Sequence, residues 1–259
     1  MGGYPVIRKL EVYADGTPFV PDMRCRLTGK NRIGLYPSLF ILDCWNLGDS
    51  DVLRLSRAKR LEVFRGESCL ASGTVSDVYS RAAEKGTVTS AAFSMGLDLW
   101  QARVSYTAEA GATVSETVSG LLAASGTGIR LLSFPGENPA RSRGQAFFGR
   151  AAECVTSALS AASAEGVLVE AGLKIVPKDP LPATMTLTAQ DLLHEPMRVD
   201  GGRKLVLATQ ITGFQPGDEI LLAYGLETIR GLILERAVEA DTVEGPWKTE
   251  LLVRTRVSS

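Results

Sequence analysis

The stretch Asp218-Glu-Ile-Leu-Leu-Ala-Tyr-Gly225, followed by Arg230-Gly-Leu-Ile-Leu-Glu-Arg236, an acidic turn closing on Gly245, and Trp247-Lys-Thr-Glu-Leu-Leu-Val253, decides the fold. It has a counterpart about 160 residues earlier: Arg60-Leu-Glu-Val-Phe-Arg-Gly66, Ser72-Gly-Thr-Val-Ser-Asp-Val78, a charged turn closing on Gly86, and Thr87-Val-Thr-Ser-Ala-Ala-Phe93. Each copy reads as a strand ending in glycine, a second strand opening on glycine, a turn rich in acids and glycine, and a third strand. Duplication gives one chain two equivalent surfaces, a device suited to geometry more than to chemistry.

Working outward from the early copy, residues 6–13 alternate and Asp15-Gly16 marks a hairpin turn. Residues 23–27, 38–47 and 52–55 read as further strands, with turn-formers at Gly48-Asp49-Ser50-Asp51 and at 83–86. Residues 1–96 are therefore expected to form a first small β-barrel, since closure removes the exposed edges of short strands. Residues 97–182 change character to a mixed α/β segment. A strand at 102–108 is followed by Thr113-Val-Ser-Glu116, the spacing of a capping box, with Val114, Val118, Leu121 and Leu122 on one helical face to about Ser125. Gly126-Thr-Gly128 stops this helix. A strand at 129–134, a polar loop at 135–144, a helix at 151–164 and a hairpin around Gly172 complete the segment. Pro177-Lys-Asp-Pro-Leu-Pro182 reads as a stiff linker. Residues 183–259 are expected to form a second β-barrel: a strand at 204–211, a tight turn at Gln215-Pro-Gly-Asp218, and the late copy. The predicted class is mainly β with an α+β insertion, two similar barrels flanking a mixed segment.

At 259 residues, 45% apolar and 22% charged, the composition is that of an ordinary globular protein. A net charge of −1 without a long single-sign run excludes the basic footprint of a phosphate-backbone binder, so no nucleic-acid binding is expected. The longest apolar stretch, 39–47, is interrupted by Asp43 and falls short of the ~18 to 20 residues that span a bilayer, so no membrane insertion is expected. The N-terminus lacks a basic start and apolar core, and Val6 stands where a myristoylation signal places Ser or Thr, which predicts assembly in a cytoplasm.

The chemistry-bearing residues are few. Cys25, Cys44, Cys69 and Cys154 are scattered without a Cys-x-x-Cys pair and read as buried free thiols. The single histidine, His194, has no partner ligands in sequence and reads as a boundary residue. Gly29-Lys30 lacks the upstream glycine of a phosphate loop and has Asn31 where Ser or Thr belongs, so it reads as a turn. Asp43, Asp49 and Asp51 are weighed as hard-cation ligands against a solvated turn, and the turn is preferred. Glu109, Glu116, Glu137 and Glu153 are the carboxylates a hydrolase would draw on; Glu116 is accounted for by the capping box and Glu153 by a helix surface. Trp45, Trp100 and Trp247 read as core anchors, with Trp247, Thr249 and Leu251 on one strand face and Lys248, Glu250 and Leu252 on the other. No catalytic residue, cofactor site or metal site is assigned, and the chain is not read as an enzyme.

Several segments, taken in order, carry a resemblance: Arg103-Val-Ser-Tyr106; Ala112-Thr-Val-Ser-Glu-Thr-Val-Ser-Gly-Leu-Leu122; Phe147-Phe-Gly-Arg-Ala-Ala-Glu-Cys-Val155; Leu173-Lys-Ile-Val176; Pro216-Gly-Asp-Glu-Ile220; and Gly245-Pro-Trp-Lys-Thr-Glu-Leu251. In that order they resemble the baseplate hub family of contractile phage tails, related tailocins and the hub portion of secretion-system spike proteins. The resemblance covers nearly the whole chain. It implies a homotrimer whose two barrels per chain form a pseudo-sixfold ring, a symmetry adaptor between a sixfold tail tube above and a threefold spike below. Tape measure and other baseplate proteins are further implied partners, and the implied location is the baseplate of a virion tail or tailocin assembled in the bacterial host cytoplasm. The chain is short for that family, so a separate spike protein is expected to dock below it. The alternative function is a tail-associated peptidoglycan hydrolase or carbohydrate-binding β-module.

Overall fold

The computed structural model describes residues 9–19, 24–84, 86–170 and 172–256. Residues 6–8 and 23, where strands were expected to begin, lie outside the described residues. The first half comprises β1 (Glu11–Ala14), β2 (Thr17–Phe19), β3 (Cys25–Arg32), β4 (Ser38–Trp45), α1 (Asp49–Arg57), β5 (Arg60–Arg65), β6 (Ser68–Ala83) and β7 (Gly86–Met95). The middle comprises α2 (Leu97–Gln101), β8 (Arg103–Ala108), α3 (Val114–Ser125), β9 (Leu131–Ser133), β10 (Gln145–Arg150), α4 (Ala151–Ser160), β11 (Glu165–Val169) and β12 (Gly172–Val176). The last part comprises β13 (Met185–Thr188), β14 (Met197–Val199), β15 (Lys204–Thr209), β16 (Glu219–Tyr224), β17 (Glu227–Asp241) and β18 (Trp247–Arg256), with short 3-10 turns at Ala189–Asp191 and Asp200–Gly202.

Thirteen strands share one sheet, in the order β14-β15-β18-β17-β3-β4-β7-β6-β5-β1-β2, with β16 joined to β17 and β13 to β16. The two arms of this path correspond strand for strand. One arm runs β3-β4-β7-β6-β5 and the other β14-β15-β18-β17-β16, and within each the three strands of the sequence repeat form an antiparallel meander. The correspondence reaches single residues. The pairing of β6 with β7 slips between Val75 and Asp77, and that of β17 with β18 slips between Ile233 and Glu235, so both second strands carry a bulge at the same place. Both hairpins turn on a glycine of positive φ at the first of two loop positions, Gly66 (φ 55°) and Gly225 (φ 62°), as a right-twisted ribbon requires.

The second strand of each copy does not open on its glycine. β6 starts at Ser68 and β17 at Glu227, which leaves Gly73 and Gly231 inside their strands, opposite Leu61 and Ile220. They are there because nothing larger fits: a Cβ on Gly73 would lie 2.4 Å from the Ser94 carbonyl carbon, and one on Gly231 2.3 Å from Val253 Cγ1.

Side-chain alternation sets the core. Phe40 and Phe93, opposite each other on β4 and β7, stack with ring centroids 5.7 Å apart. In the other arm Leu205, Leu207, Ile220, Leu222, Leu251 and Val253 form a separate buried cluster. There the chain after β13 returns to β15 through a bridge between Leu192 and Thr209, so the strands wrap round that cluster. Trp247, Thr249 and Leu251 are buried and Lys248, Glu250 and Leu252 partly exposed, the two faces read from the sequence.

Several sequence expectations are corrected. Residues 52–55 are not a strand but part of α1, and Gly48-Asp49-Ser50-Asp51 is its start, not a turn. Asp49 and Asp51 complement the positive helix N-terminus, Arg54 and Arg57 the C-terminus, and Leu55 alone is buried. Gly29-Lys30 is not a turn but lies within β3, where the missing side chain leaves room for Phe40, whose Cδ1 would stand 2.4 Å from a Cβ. The helix expected over 151–164 ends at Ser160. The strand expected at 129–134 is confined to Leu131–Ser133, paired parallel to β12, and that at 204–211 ends at Thr209. α2, β10, β13 and β14 had not been anticipated.

The α3 capping box forms as read: Thr113 Oγ1 accepts from the Glu116 N–H at 3.3 Å and Glu116 Oε2 accepts from the Thr113 N–H at 2.8 Å. That backbone N–H, and then the Thr113 hydroxyl, hold the Glu116 carboxyl below its usual range. Gly126, left-handed at φ 67°, ends the helix. α3 packs on α4 and β8, and β8 pairs with β10. Residues 177–182 carry no helix or strand.

Candidate functional site

The strongest constellation of polar groups lies where the two arms meet. β17 is long enough to have two neighbours along one edge. Its first part, Glu227 to Leu232, pairs with β16, and its second, Glu235 to Asp241, pairs antiparallel with β3 in a register running from Glu235 opposite Arg32 to Asp241 opposite Arg26. Charge is sorted across this seam. Arg24 meets Asp241 at 2.9 Å and Glu244 at 2.8 Å, Arg26 meets Glu239 at 2.5 Å, and Lys30 meets Glu235 at 3.2 Å. The bases all come from the β3 side and the acids from the β17 side.

At the centre sits Arg236, 1% exposed. Its Nε donates to Asn31 Oδ1 (3.1 Å), Nη1 to the Phe214 carbonyl (2.9 Å) and Nη2 to the Leu70 carbonyl (2.6 Å). One guanidinium thus ties β3, β6 and the loop before β16 together. Burial pushes Arg236 down to about 10, which leaves it charged at neutral pH. Asp241, 2% exposed, is pushed up by burial, but the Arg24 hydrogen bond and the N–H groups of Val243 and Glu244 outweigh that and hold it below its usual value. Arg65 reaches over Trp247, 5.1 Å from the ring centroid, and donates to the Gln210 carbonyl at 2.7 Å. The mixed segment is tied in through Lys174, which pairs with Asp218, and through Val167 and Val176, which cluster with Leu232.

The counterpart of this seam in the first arm is bare. β5 covers β6 only as far as Thr74, and beyond it residues 76–83 have β7 on one side and no strand on the other among the described residues. The burial patterns differ accordingly: residues 236, 238, 240 and 241 of β17 are buried, whereas 79–83 of β6 are all exposed.

The carboxylates weighed for catalysis do not assemble. Glu109, Glu116, Glu137 and Glu153 are all exposed, Glu116 is engaged in the capping box, and Glu153 pairs with Arg150 at 3.5 Å. Asp43 accepts from the Ser90 hydroxyl at 2.5 Å, apart from Asp49 and Asp51 in the first turn of α1, and no cluster of three metal-ligating side chains occurs among the described residues. His194 is exposed, with Nδ1 3.0 Å from the Glu195 carbonyl oxygen. The four cysteines are free thiols, Cys25, Cys44 and Cys154 buried as expected but Cys69 only partly so, and Cys25 and Cys44 face each other across β3 and β4 with Sγ atoms 3.5 Å apart. Trp45 lies beneath Arg24 (4.4 Å) and Trp100 against Tyr36 (5.2 Å), both partly exposed, while Trp247 is buried. Among the described residues no helix is long and apolar enough to cross a membrane.

Sequence reading missed the seam. Arg236, in a strand rich in charge, looks like a solvated residue. The available signal was the opposite-sign alternation of Arg24, Arg26 and Lys30 against Glu235, Glu239 and Asp241.

The fold is shared with solved tail proteins. It is similar to a tail protein of Neisseria meningitidis MC58, with a TM-score of 0.73 at 12% identity over 95% of this chain and 96% of that one. It is similar to the 43 kDa tail protein of prophage MuSo2 from Shewanella oneidensis, with a TM-score of 0.66 at 10% identity over 95% and 97%. An Escherichia coli component of the type VI secretion system, described as structurally similar to the T4 tail proteins gp27 and gp5, matches with a TM-score of 0.65 at 14% identity over 95% and 77%. No protein-family model and no curated relative matches the sequence. What the chain shares with these proteins is its architecture, over 95% of its length.

Proposed function

We propose that this protein is the structural baseplate hub of a phage tail or tail-like particle, a homotrimer in which six β-barrels, two from each chain, form a pseudo-sixfold ring between a sixfold tube and a threefold spike. The observation that carries this reading is the strand-for-strand correspondence of the two arms, down to the shared bulge, together with the seam that joins them. Two alike units joined by one kind of contact can repeat that contact between chains, and a repeated head-to-tail contact closes a ring when its rotation allows. The mixed segment, residues 97–182, occurs once per chain and would impose threefold symmetry where it projects. Tail tube and spike proteins are the proposed partners and the virion baseplate or tailocin the proposed location, with no catalysis assigned. Images of purified particles should show rings with a central channel, and a peptidoglycan zymogram should stay uncleared. Compact particles without a channel would refute the ring, and clearing abolished by changing Glu109 or Glu137 would favour the hydrolase.

A further inference from the structure

Resting on the ring reading above, we infer that the bare edge of β6, residues 76–83, pairs antiparallel with β14 of a second copy of this chain, repeating between chains the pairing that β3 makes with β17 within one. In the chain, β17 takes β3 along the half that lies past its bulge. The matching half of β6 is the uncovered edge, and the strand that stands to β15 as β3 stands to β4 is β14, itself the last strand of the sheet path. Among the described residues one arm therefore has an acceptor edge, and the other a donor strand, with no strand on its outer side.

The register follows from the residues. Val75 corresponds to Ile233 and Phe93 to Val253 through the two bulges, which carries Glu239 onto Arg81. Leu205 corresponds to Phe40 through the pairings with β18 and β7, which carries Thr28 onto Met197. Glu239 is opposite Thr28 in the seam, so Arg81 comes opposite Met197, and Ser80 opposite Arg198. In the seam the even-numbered residues of β17 bond outward to β3, as in Ile33 N–H to the Leu234 carbonyl (2.9 Å) and Thr242 N–H to the Cys25 carbonyl (3.0 Å). By the same parity Ser80 and Ala82 present their backbone groups to the newcomer.

Charge supports the same pairing. In the seam Glu239 reaches diagonally to Arg26, two residues before Thr28. In the inferred contact Arg81 stands for Glu239, and Glu195, two residues before Met197, stands for Arg26. The attraction is kept with its sign reversed. The reversal also discriminates: β6 meeting a β3 strand would set Arg81 against Arg26, and β14 meeting β17 would set Glu195 against Glu239. β2, at the far end of the path, is Thr17-Pro18-Phe19, a short edge carrying proline, whereas residues 76–83 form a longer edge with no proline.

The test is a pair of cysteines, Arg81→Cys with Met197→Cys, in the full chain. Their inferred pair is of the non-hydrogen-bonded type, with Cα atoms about 4.5 Å apart, within disulfide reach. Oxidation should give covalent trimers from the double variant and none from either single variant. Arg81→Glu, which turns the attraction to Glu195 into a repulsion, should weaken assembly by about tenfold, and Arg81→Glu with Glu195→Arg should restore it. Trimeric rings that stay unlinked and ignore the charge reversal would overturn the edge pairing while leaving the ring reading intact. Linked open polymers without a closed trimer would keep the pairing and sink the ring. Unlinked monomers at high concentration would overturn both.

Discussion

Arg236 is the residue on which the two arms converge, since its guanidinium alone bonds to β3, β6 and the loop before β16. Removing the guanidinium leaves Asn31 Oδ1 and the carbonyls of Phe214 and Leu70 without their donor. Since each unsatisfied buried group costs about 1 to 3 kcal/mol, Arg236→Met should lose roughly 3 to 5 kcal/mol of stability in urea unfolding. A loss under about 1 kcal/mol would show the hydrogen bonds to be replaceable. Asp241 gives a pH-dependent counterpart. Its carboxyl is held below the usual value in the folded chain, so its contribution is complete above the unfolded value of about 3.9 and fades as pH falls through the lower folded one. Asp241→Asn should therefore be less stable than the parent at neutral pH by about 1 to 3 kcal/mol, and the gap should narrow below about pH 4. A gap that widens in acid would contradict the assignment. The Thr113 and Glu116 cap was legible because both partners lie within one turn of chain. Arg236 was not, because its acceptors are far off in sequence and nothing local distinguishes it from a solvated strand arginine.

Elements were legible where their signals are local. The glycine hairpins, the α3 helix and its glycine stop, and the order of the three-stranded copies depend on neighbouring residues and are found as expected, although β6 and β17 each run about twice the expected length. α1 was misread because Leu55 is its single buried residue, so no apolar stripe announces it and the acidic start imitates a turn. β13 and β14 are short and owe their state to their partners on β16 and β15, a tertiary effect that propensity does not record. The glycines inside β6 and β17 were noticed in sequence, but their reason is the approach of β7 and β18. Gly73→Ala and Gly231→Ala should each cost about 2 to 4 kcal/mol in thermal or urea unfolding, because the contacted atoms belong largely to a strand that cannot retreat. Gly16→Ala, with open space around its Cβ position, tests only a positive φ of 74° and should cost about 1 to 2 kcal/mol. Equal losses at all three sites would remove the steric argument.

At the scale of the molecule, the sequence displayed two similar ribbons but not how they join. The seam pairs β3 with β17 across more than two hundred residues of chain, as Arg24 meeting Asp241 with a separation of 217 shows, and no local pattern encodes such a partnership. In the proposed ring, the uncovered half of β6 takes β14 of the next chain, so that the contact inside the chain serves as the template for the contact between chains. An obligate interface of the proposed kind would bury upwards of about 2,000 Å², enough for the proposed trimer to persist without a tube or spike to hold it. The most direct test is therefore the mass of the purified chain in solution. Light scattering at micromolar concentration should give three times the 27.7 kDa of one chain, and a stable dimer or a ring of six whole chains would contradict the account.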